Sequence, residues 1–280
     1  MNIYRTIDEM RAAVKAARGA GRHRLGLVPT MGALHGGHLS LVRAARAECD
    51  WVAASIFVNP LQFGPTEDLA RYPRPFERDR ELLEAEQIDA LFAPSAEEMY
   101  PGNEAAYVEV RDMSERLDGR SRPGHFRGVT TVVAKLFHII PADRAYFGQK
   151  DAAQVAIIRR MARDLNFDVE IRVCPIVREA DGVAMSSRNA YLNPEQRKAA
   201  TALYRALARV QRARDLGEQN SAALLAAAKS VLAEEPLVKI DYVEIVHPET
   251  LEPLDHARGA LIAVAAWVGE TRLIDNLLLA

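Results

Sequence analysis

Up to about residue 176, short apolar, β-branched runs alternate with stretches whose apolar residues recur at helical spacing, and few folds accept that order. The strand candidates are residues 25–28, 52–58, 90–93, 145–147 and 169–176. Before the first, Thr6-x-x-Glu9 reads as a capping box opening a helix to about Arg18. After it, Leu39, Val42 and Ala45 mark one helix face, and Val155, Ile158, Met161 and Leu165 mark another. Strands alternating with helices predict an α/β fold, a parallel sheet covered on both faces. Ligands of such sheets sit beyond the carboxyl ends of the strands, where His35, Asn59, Gln62 and Lys150 all fall.

The chain changes character after Ser187. Asn193-Pro194-Glu195-Gln196 starts a helix, with Asn as cap and Pro in the first turn, and an Ala/Arg-rich helix should run to about Leu216. A second helix is expected over 221–234, stopped by Pro236, and then strands over 240–246, 261–268 and 272–276. The expected architecture is a Rossmann-like nucleotide-binding domain over 1–176 with a smaller α+β lid domain over 177–280. The boundary should lie near 176–181.

Composition removes several functional classes. The 280 residues include 36 basic and 38 acidic side chains, a formal charge of −2, which argues against a general nucleic-acid binder. Two cysteines, Cys49 and Cys174, are too few for a disulfide framework and point to a reducing compartment. The longest apolar run, 260–268, falls far short of the roughly 20 residues that span a bilayer. Acidic residues stand where a signal peptide would carry its apolar core. A cytoplasmic protein is expected.

The first strand runs into Pro29-Thr30-Met31-Gly32-Ala33-Leu34-His35-Gly36-Gly37-His38, a glycine-rich turn before a helix. Backbone N–H groups point outward at such a junction and the helix dipole favours an anion. Two histidines three residues apart can also be plain surface residues or half a metal site. No Cys cluster or His-Glu-x-x-His completes a zinc site, so donation to phosphate oxygen is the better reading.

Four other stretches carry the same tension between chemistry and plain loop. Met185-Ser186-Ser187-Arg188 follows the turn Asp181-Gly182 and supplies hydroxyls and a guanidinium that can close over a triphosphate. Gly148-Gln149-Lys150-Asp151 lies where a strand becomes a helix, with Lys150 as a point charge for phosphate. Gln62, in Asn59-Pro60-Leu61-Gln62-Phe63-Gly64, and Gln154 are neutral amides suited to a small polar acid that must stay nucleophilic. Arg122-Pro123-Gly124-His125-Phe126-Arg127-Gly128 is too rich in Gly and Pro for a helix and too basic to bury, so a loop is expected, either over the pocket or a plain one.

The paired phosphate signals are similar to those of the adenylate-forming nucleotidyltransferase superfamily, which includes class I aminoacyl-tRNA synthetases. One family is matched much more closely. The His35-containing stretch, Phe57-Val58-Asn59-Pro60-x-Gln62-Phe63, Arg71-Tyr72-Pro73-Arg74, Arg122-Pro123-x-His125-Phe126-x-Gly128-Val129, Phe147-Gly148-x-Lys150-Asp151 and Met185-Ser186-Ser187-Arg188-Asn189 together resemble the pantothenate synthetase (pantoate–β-alanine ligase) family, in its order. One departure is Gln149, where the family usually carries Glu.

The resemblance implies ATP-dependent condensation of (R)-pantoate with β-alanine through a pantoyl adenylate, with release of pyrophosphate and AMP. It implies ATP contacts by Met31, Gly32, Ala33, Leu34, His35, Gly36, Gly37, His38, Gly148, Gln149, Lys150, Asp151, Val177, Met185, Ser186, Ser187 and Arg188. Of these His38, as proton donor, with His35, Lys150 and Arg188, would act on the reacting phosphates. Gln62 and Gln154 would hold pantoate, with Gln62 also near β-alanine. It further implies Mg2+, positioned through water by Asp79, with no metal-contacting residue otherwise assigned, and a homodimer. The rivals are another nucleotidyltransferase acting on a different acid or phosphate ester, and a nucleotide-binding regulatory module without chemistry.

Overall fold

The structure is a computed structural model describing residues 1–65, 67–102 and 105–279. Its first half runs β1 (Asn2–Tyr4), α1 (Ile7–Gly19), β2 (Leu25–Thr30), α2 (Gly36–Glu48), β3 (Trp51–Ile56), α3 (Phe76–Ala85), β4 (Ala90–Phe92) and α4 (Ala96–Met99). Then come α5 (Asp118–Ser121), α6 (His125–Ile139), β5 (Arg144–Gly148), α7 (Ala152–Asp164) and β6 (Glu170–Cys174). The remainder is α8 (Pro194–Ala199), α9 (Thr201–Asp215), α10 (Ser221–Ala233), β7 (Val238–Val246), β8 (Ala260–Val268) and β9 (Thr271–Leu279).

The first six strands form one sheet in the order β1-β4-β3-β2-β5-β6, every pair parallel. Both faces are covered, which is why β2 and β3 read as near-continuous apolar runs rather than alternating ones. Leu25, Leu27, Ala53 and Phe147 join α1, α6 and α7 in one core cluster. Val28, Val52, Ala54 and Tyr146 join α2 and α3 in another. The order reverses between β2 and β5, so the crevice of a doubly wound sheet opens there.

Pro29 sits at that crevice. The Thr30 carbonyl accepts from Phe57 N–H on the β3 side, so by strand alternation the peptide groups of odd-numbered residues turn toward β5. Pairing of β2 with β5 covers Gly26 and Leu27 only, and Pro29 has no N–H with which to extend it.

The last three strands form an antiparallel meander, β7-β8-β9. Its two faces serve different partners. Val243, Ile245, Ile262 and Val264 pack with α9 and α10, whereas Tyr242, Val246, Leu261 and Ala263 enter the core of the large sheet. The central strand β8 is therefore apolar on both sides. Among the described residues no helix is long and apolar enough to cross a membrane.

Several expectations need correction. The strand β1, only three residues long, carries too little pattern to read, yet it pairs with β4. The capping box at Thr6 and Glu9 forms as expected. Leu165 is 52 % exposed because α7 ends at Asp164, and Phe167 packs beneath instead. The helix expected from 194 to 216 is interrupted at Ala200. Of the segment 122–128, expected as a loop, residues 125–128 form the first turn of α6, whose His125, Phe126 and Gly128 are buried. Gly124, at φ +79°, makes the sharp entry, and Gly128 lets the helix touch the turn at Pro60–Gln62: a Cβ there would lie 2.3 Å from the Leu61 carbonyl oxygen.

Candidate active site

The turn between β2 and α2 is built largely from backbone. Thr30 Oγ1 donates to the Ser55 carbonyl (2.7 Å) and accepts from Gly32 N–H (3.1 Å). Gly32 and Ala33 then take positive φ, +80° and +50°. Asp79 holds this strained step: its carboxylate accepts from Ala33 N–H (2.7 Å) and Leu34 N–H (2.8 Å). The carboxyl group belongs to a residue only 1 % exposed, and each of its oxygens accepts one of these N–H groups, so in this structure Asp79 fixes the turn.

Two histidines cap α2 reciprocally. Gly37 N–H donates to His35 Nδ1 (3.1 Å), and His35 N–H donates to His38 Nδ1 (3.4 Å). With both Nδ1 atoms accepting, each ring carries its proton on Nε2. Burial, and next the Lys150 ammonium, pull the His35 pKa down to about 4. Burial, and next His35 itself, take His38 to about 3. The rings, with centroids 4.1 Å apart, are thus a pair of neutral N–H donors at a helix N-terminus. A neutral imidazole in that setting polarises an oxygen without titrating near pH 7.

The second segment reaches this turn through packing. Residues 177–185 form a narrow hairpin in which Met185 N–H donates to the Val177 carbonyl (2.9 Å) and Arg178 bridges Ala184. The Met185 sulfur rests on Gly36: a Cβ on that glycine would stand 3.0 Å from it. Ser186 Oγ then accepts from Arg188 N–H (3.3 Å), capping the turn Ser187–Tyr191. Arg188 donates to both oxygens of Asp68, each at 3.0 Å, and Ser187 meets the Tyr72 hydroxyl at 3.1 Å.

A third segment follows β5, where Lys150 Nζ lies 3.3 Å from Asp151 Oδ1. Lys150, Asp151, Gln154, Ser186 and Arg188 line one cavity of about 260 Å3, together with Asp68, Arg122 and His125. Met31 and Gly32 line a second, of about 320 Å3, with Arg5, Arg74, Phe76 and Asp79. Gln62 lines neither and connects the two. Its Nε2 donates to Met31 Sδ (3.1 Å), its Oε1 accepts from Asn59 (3.1 Å), and its carbonyl accepts from His125 Nδ1 (2.8 Å). Gln62 and Gln154 therefore do not share a wall in this structure.

Residues the sequence does not single out complete the site. Glu67 takes both arms of Arg122 (2.8 and 2.6 Å), and Arg122 donates to His125 Nε2 (3.0 Å). His125 stays neutral, its pKa lowered to about 4 by burial and then by Arg122. Asn276 of β9 donates to the carbonyls of Gln149 and Lys150, and neighbouring Asp275 binds Arg178. One signal could have flagged that pair: Asp275-Asn276 separates the apolar runs Leu273-Ile274 and Leu277-Leu278-Leu279. Among the described residues no group of three His, Cys, Asp or Glu is placed to hold a metal by itself.

Polar groups gathered at the carboxyl edge of a doubly wound sheet, around a glycine-rich helix N-terminus, define a nucleotide-binding α/β enzyme. The profile of the family described as Pantoate-beta-alanine ligase matches residues 2–278. The chain is 61 % identical to the pantothenate synthetase of Koribacter versatilis over 280 residues, covering all of this chain and 96 % of that one. It is 58 % identical to that of Thermotoga neapolitana, with both chains fully covered. The crystal structure of pantothenate synthetase from Thermus thermophilus superposes with a TM-score of 0.94 at 51 % identity, covering 100 % of this chain and 99 % of that one. The pantoate-beta-alanine ligase of Francisella tularensis, solved with beta-gamma ATP and beta-alanine, gives 0.83 at 33 % identity, over 99 % and 97 % of the chains. The chain belongs to the pantoate–β-alanine ligase family and is a carbon–nitrogen ligase joining those two substrates.

Proposed function

We propose that the ligation runs in two steps, both beside the N-terminus of α2, Lys150 and the turn at Ser187–Tyr191. A pantoate carboxylate oxygen attacks the α-phosphorus of ATP, the bond to the β-phosphate breaks, and pyrophosphate leaves. The neutral amine of β-alanine then attacks the acyl carbon of pantoyl adenylate, AMP departs with the bridging oxygen, and the nitrogen loses one proton to become the amide N–H. The observation that carries this reading is the pair of neutral imidazoles capping α2, whose first turn packs against Met185 of the 185–188 segment and whose His35 feels the Lys150 charge.

His38 and His35 donate Nε2–H to oxygens of the α-phosphate as negative charge builds there. Lys150, Ser186, Ser187 and Arg188 take the departing pyrophosphate, with Arg188 exchanging Asp68 for phosphate. Met31, Gly32, Ala33, Leu34, Gly36, Gly37, Gly148, Gln149, Asp151 and Val177 line the nucleotide, and Gln62 and Gln154 hold pantoate. Mg2+ would arrive on the triphosphate and neutralise it, with Asp151 the carboxylate of that wall not tied to an arginine. Residues 1–176 form the catalytic part and 177–280 its cover. The family resemblance adds a homodimer in the cytoplasm, in keeping with two buried free cysteines.

The test is exchange of labelled pyrophosphate into ATP. It should require pantoate and proceed without β-alanine, and adding β-alanine should release AMP and pantothenate. Exchange that ignores pantoate, or none at all beside intact ligation, would overturn the two-step reading.

A further inference from the structure

Within β9, Asp275 and Asn276 stand between the apolar runs Leu273-Ile274 and Leu277-Leu278-Leu279, and each is 3 % exposed. Burying a carboxylate beside a carboxamide is costly unless both find partners. Their partners are two different segments of the active site. Asn276 Nδ2 donates to the carbonyls of Gln149 and Lys150, both at 2.9 Å, and its Oδ1 accepts from Gln149 Nε2 at 3.0 Å. Asp275 accepts from both terminal nitrogens of Arg178, at 2.6 and 3.0 Å, and from Asn276 N–H at 2.8 Å.

Adjacent strand residues point to opposite faces. Ile274 packs toward the core of the large sheet, whereas Leu273 and Leu277 pack toward α9 and α10. Asn276 accordingly faces the Lys150 turn, and Asp275 faces the hairpin that ends in Met185-Ser186-Ser187-Arg188. Arg178 stiffens that hairpin further, donating to the Gly182 carbonyl (3.0 Å) and lying over the Tyr204 ring at 4.8 Å. Tyr204 is itself packed on Gly182, where a Cβ would stand 2.1 Å from the ring.

We propose that Asp275 and Asn276 are positioning residues that gauge the distance between the Lys150 turn and the Ser186–Arg188 segment, and so set the site for the triphosphate. This rests on the reading that both segments grip ATP. The bracket also gives Gln149 a reason: its amide donates to Asn276 Oδ1, where a carboxylate would meet an acceptor head-on. A triphosphate is needed for adenylate formation but not for aminolysis, so the two half-reactions should respond differently.

The experiment compares Asn276→Ala, Asp275→Asn and the milder Gln149→Glu in the full chain. Pyrophosphate exchange should fall about 10- to 100-fold in Asn276→Ala, the scale of an ångström-level misplacement, and the KM for ATP should rise. The KM for pantoate, and the rate at which β-alanine consumes supplied pantoyl adenylate, should stay within about twofold of the parent. Gln149→Glu should show the same split at smaller amplitude, which keeps the proposal testable if Asn276→Ala folds poorly. Exchange within twofold of the parent in all three variants would overturn it. So would exchange and aminolysis falling together with thermal stability, since that marks a fold support and no more. Absence of pantoate-dependent exchange in the parent would instead count against the two-step reading on which the bracket rests.

Discussion

The two segments proposed to face phosphate, 30–38 and 177–191, meet where Met185 packs on Gly36, and they arrive there by opposite routes. The helix cap of the first is local: Gly37 reaches His35, and His35 reaches His38, within three residues along the chain, and only the step before it is tied to Ser55 and Asp79. The second is held from afar, Arg188 by Asp68 at 120 residues' separation and Arg178 by Asp275 at 97. A helix cap fixes its own geometry once the helix forms. A hairpin tied by long-range ion pairs acquires its geometry only when the whole fold has closed. The local segment should therefore be rigid and decisive for chemistry, and the distant one adjustable and decisive for binding.

The largest expected effect strikes the local segment. His38→Ala should slow pyrophosphate exchange by about 10²- to 10³-fold, the loss expected for one transition-state donor. Near-normal exchange would remove the imidazole pair from the chemistry. Asp79→Ala tests what holds that segment, by orphaning two buried N–H groups. It should cost about 1–3 kcal/mol of stability in thermal or urea unfolding. An unchanged midpoint with altered Mg2+ dependence would reverse the assignment and return Asp79 to the metal.

Smaller effects should mark the distant segment. Asp68→Asn loosens a partly exposed ion pair of roughly 0.2–1 kcal/mol, so the KM for ATP should drop by no more than about fivefold as Arg188 is freed. A rise in KM would make Asp68 part of the binding surface instead. A further effect, shared by both regions, is on pH dependence. His35, His38 and His125 have folded pKa values of about 4, 3 and 4 against an ordinary 6.5. Below pH 6.5 the unfolded chain takes up protons that the folded chain refuses. Stability is thus lost as pH falls from 6.5 toward 4, and these groups change nothing above 6.5. The melting temperature should decline between pH 6.5 and 5, and less steeply in His38→Ala; identical slopes would contradict the buried neutral pair.

How much the sequence discloses follows the same division. The buried parallel strands, the cap of α1 and the glycine-rich turn are legible because their causes lie within a few residues of each other. The hold of Asp79 on Ala33 and Leu34 is not legible from sequence, because nothing near it in the chain reveals those partners. His125 falls in an expected loop because Pro123 and Gly124 read locally as breakers. In the fold Gly124 is the corner from which a helix starts, and Glu67 neutralises the arginine that looks too basic to bury. Asn276 escapes notice because an amide in a strand declares its role only when its partner, 127 residues away, is in place.

Pro29 has an implication of its own. A parallel sheet tends to zip along its full length, and a sheet zipped to its rim would leave no opening between its central strands. Here the zipper stops because one tooth is missing from the covalent chain itself. The mouth of the cleft is thus written into the ring of an imino acid, and it persists whatever occupies it.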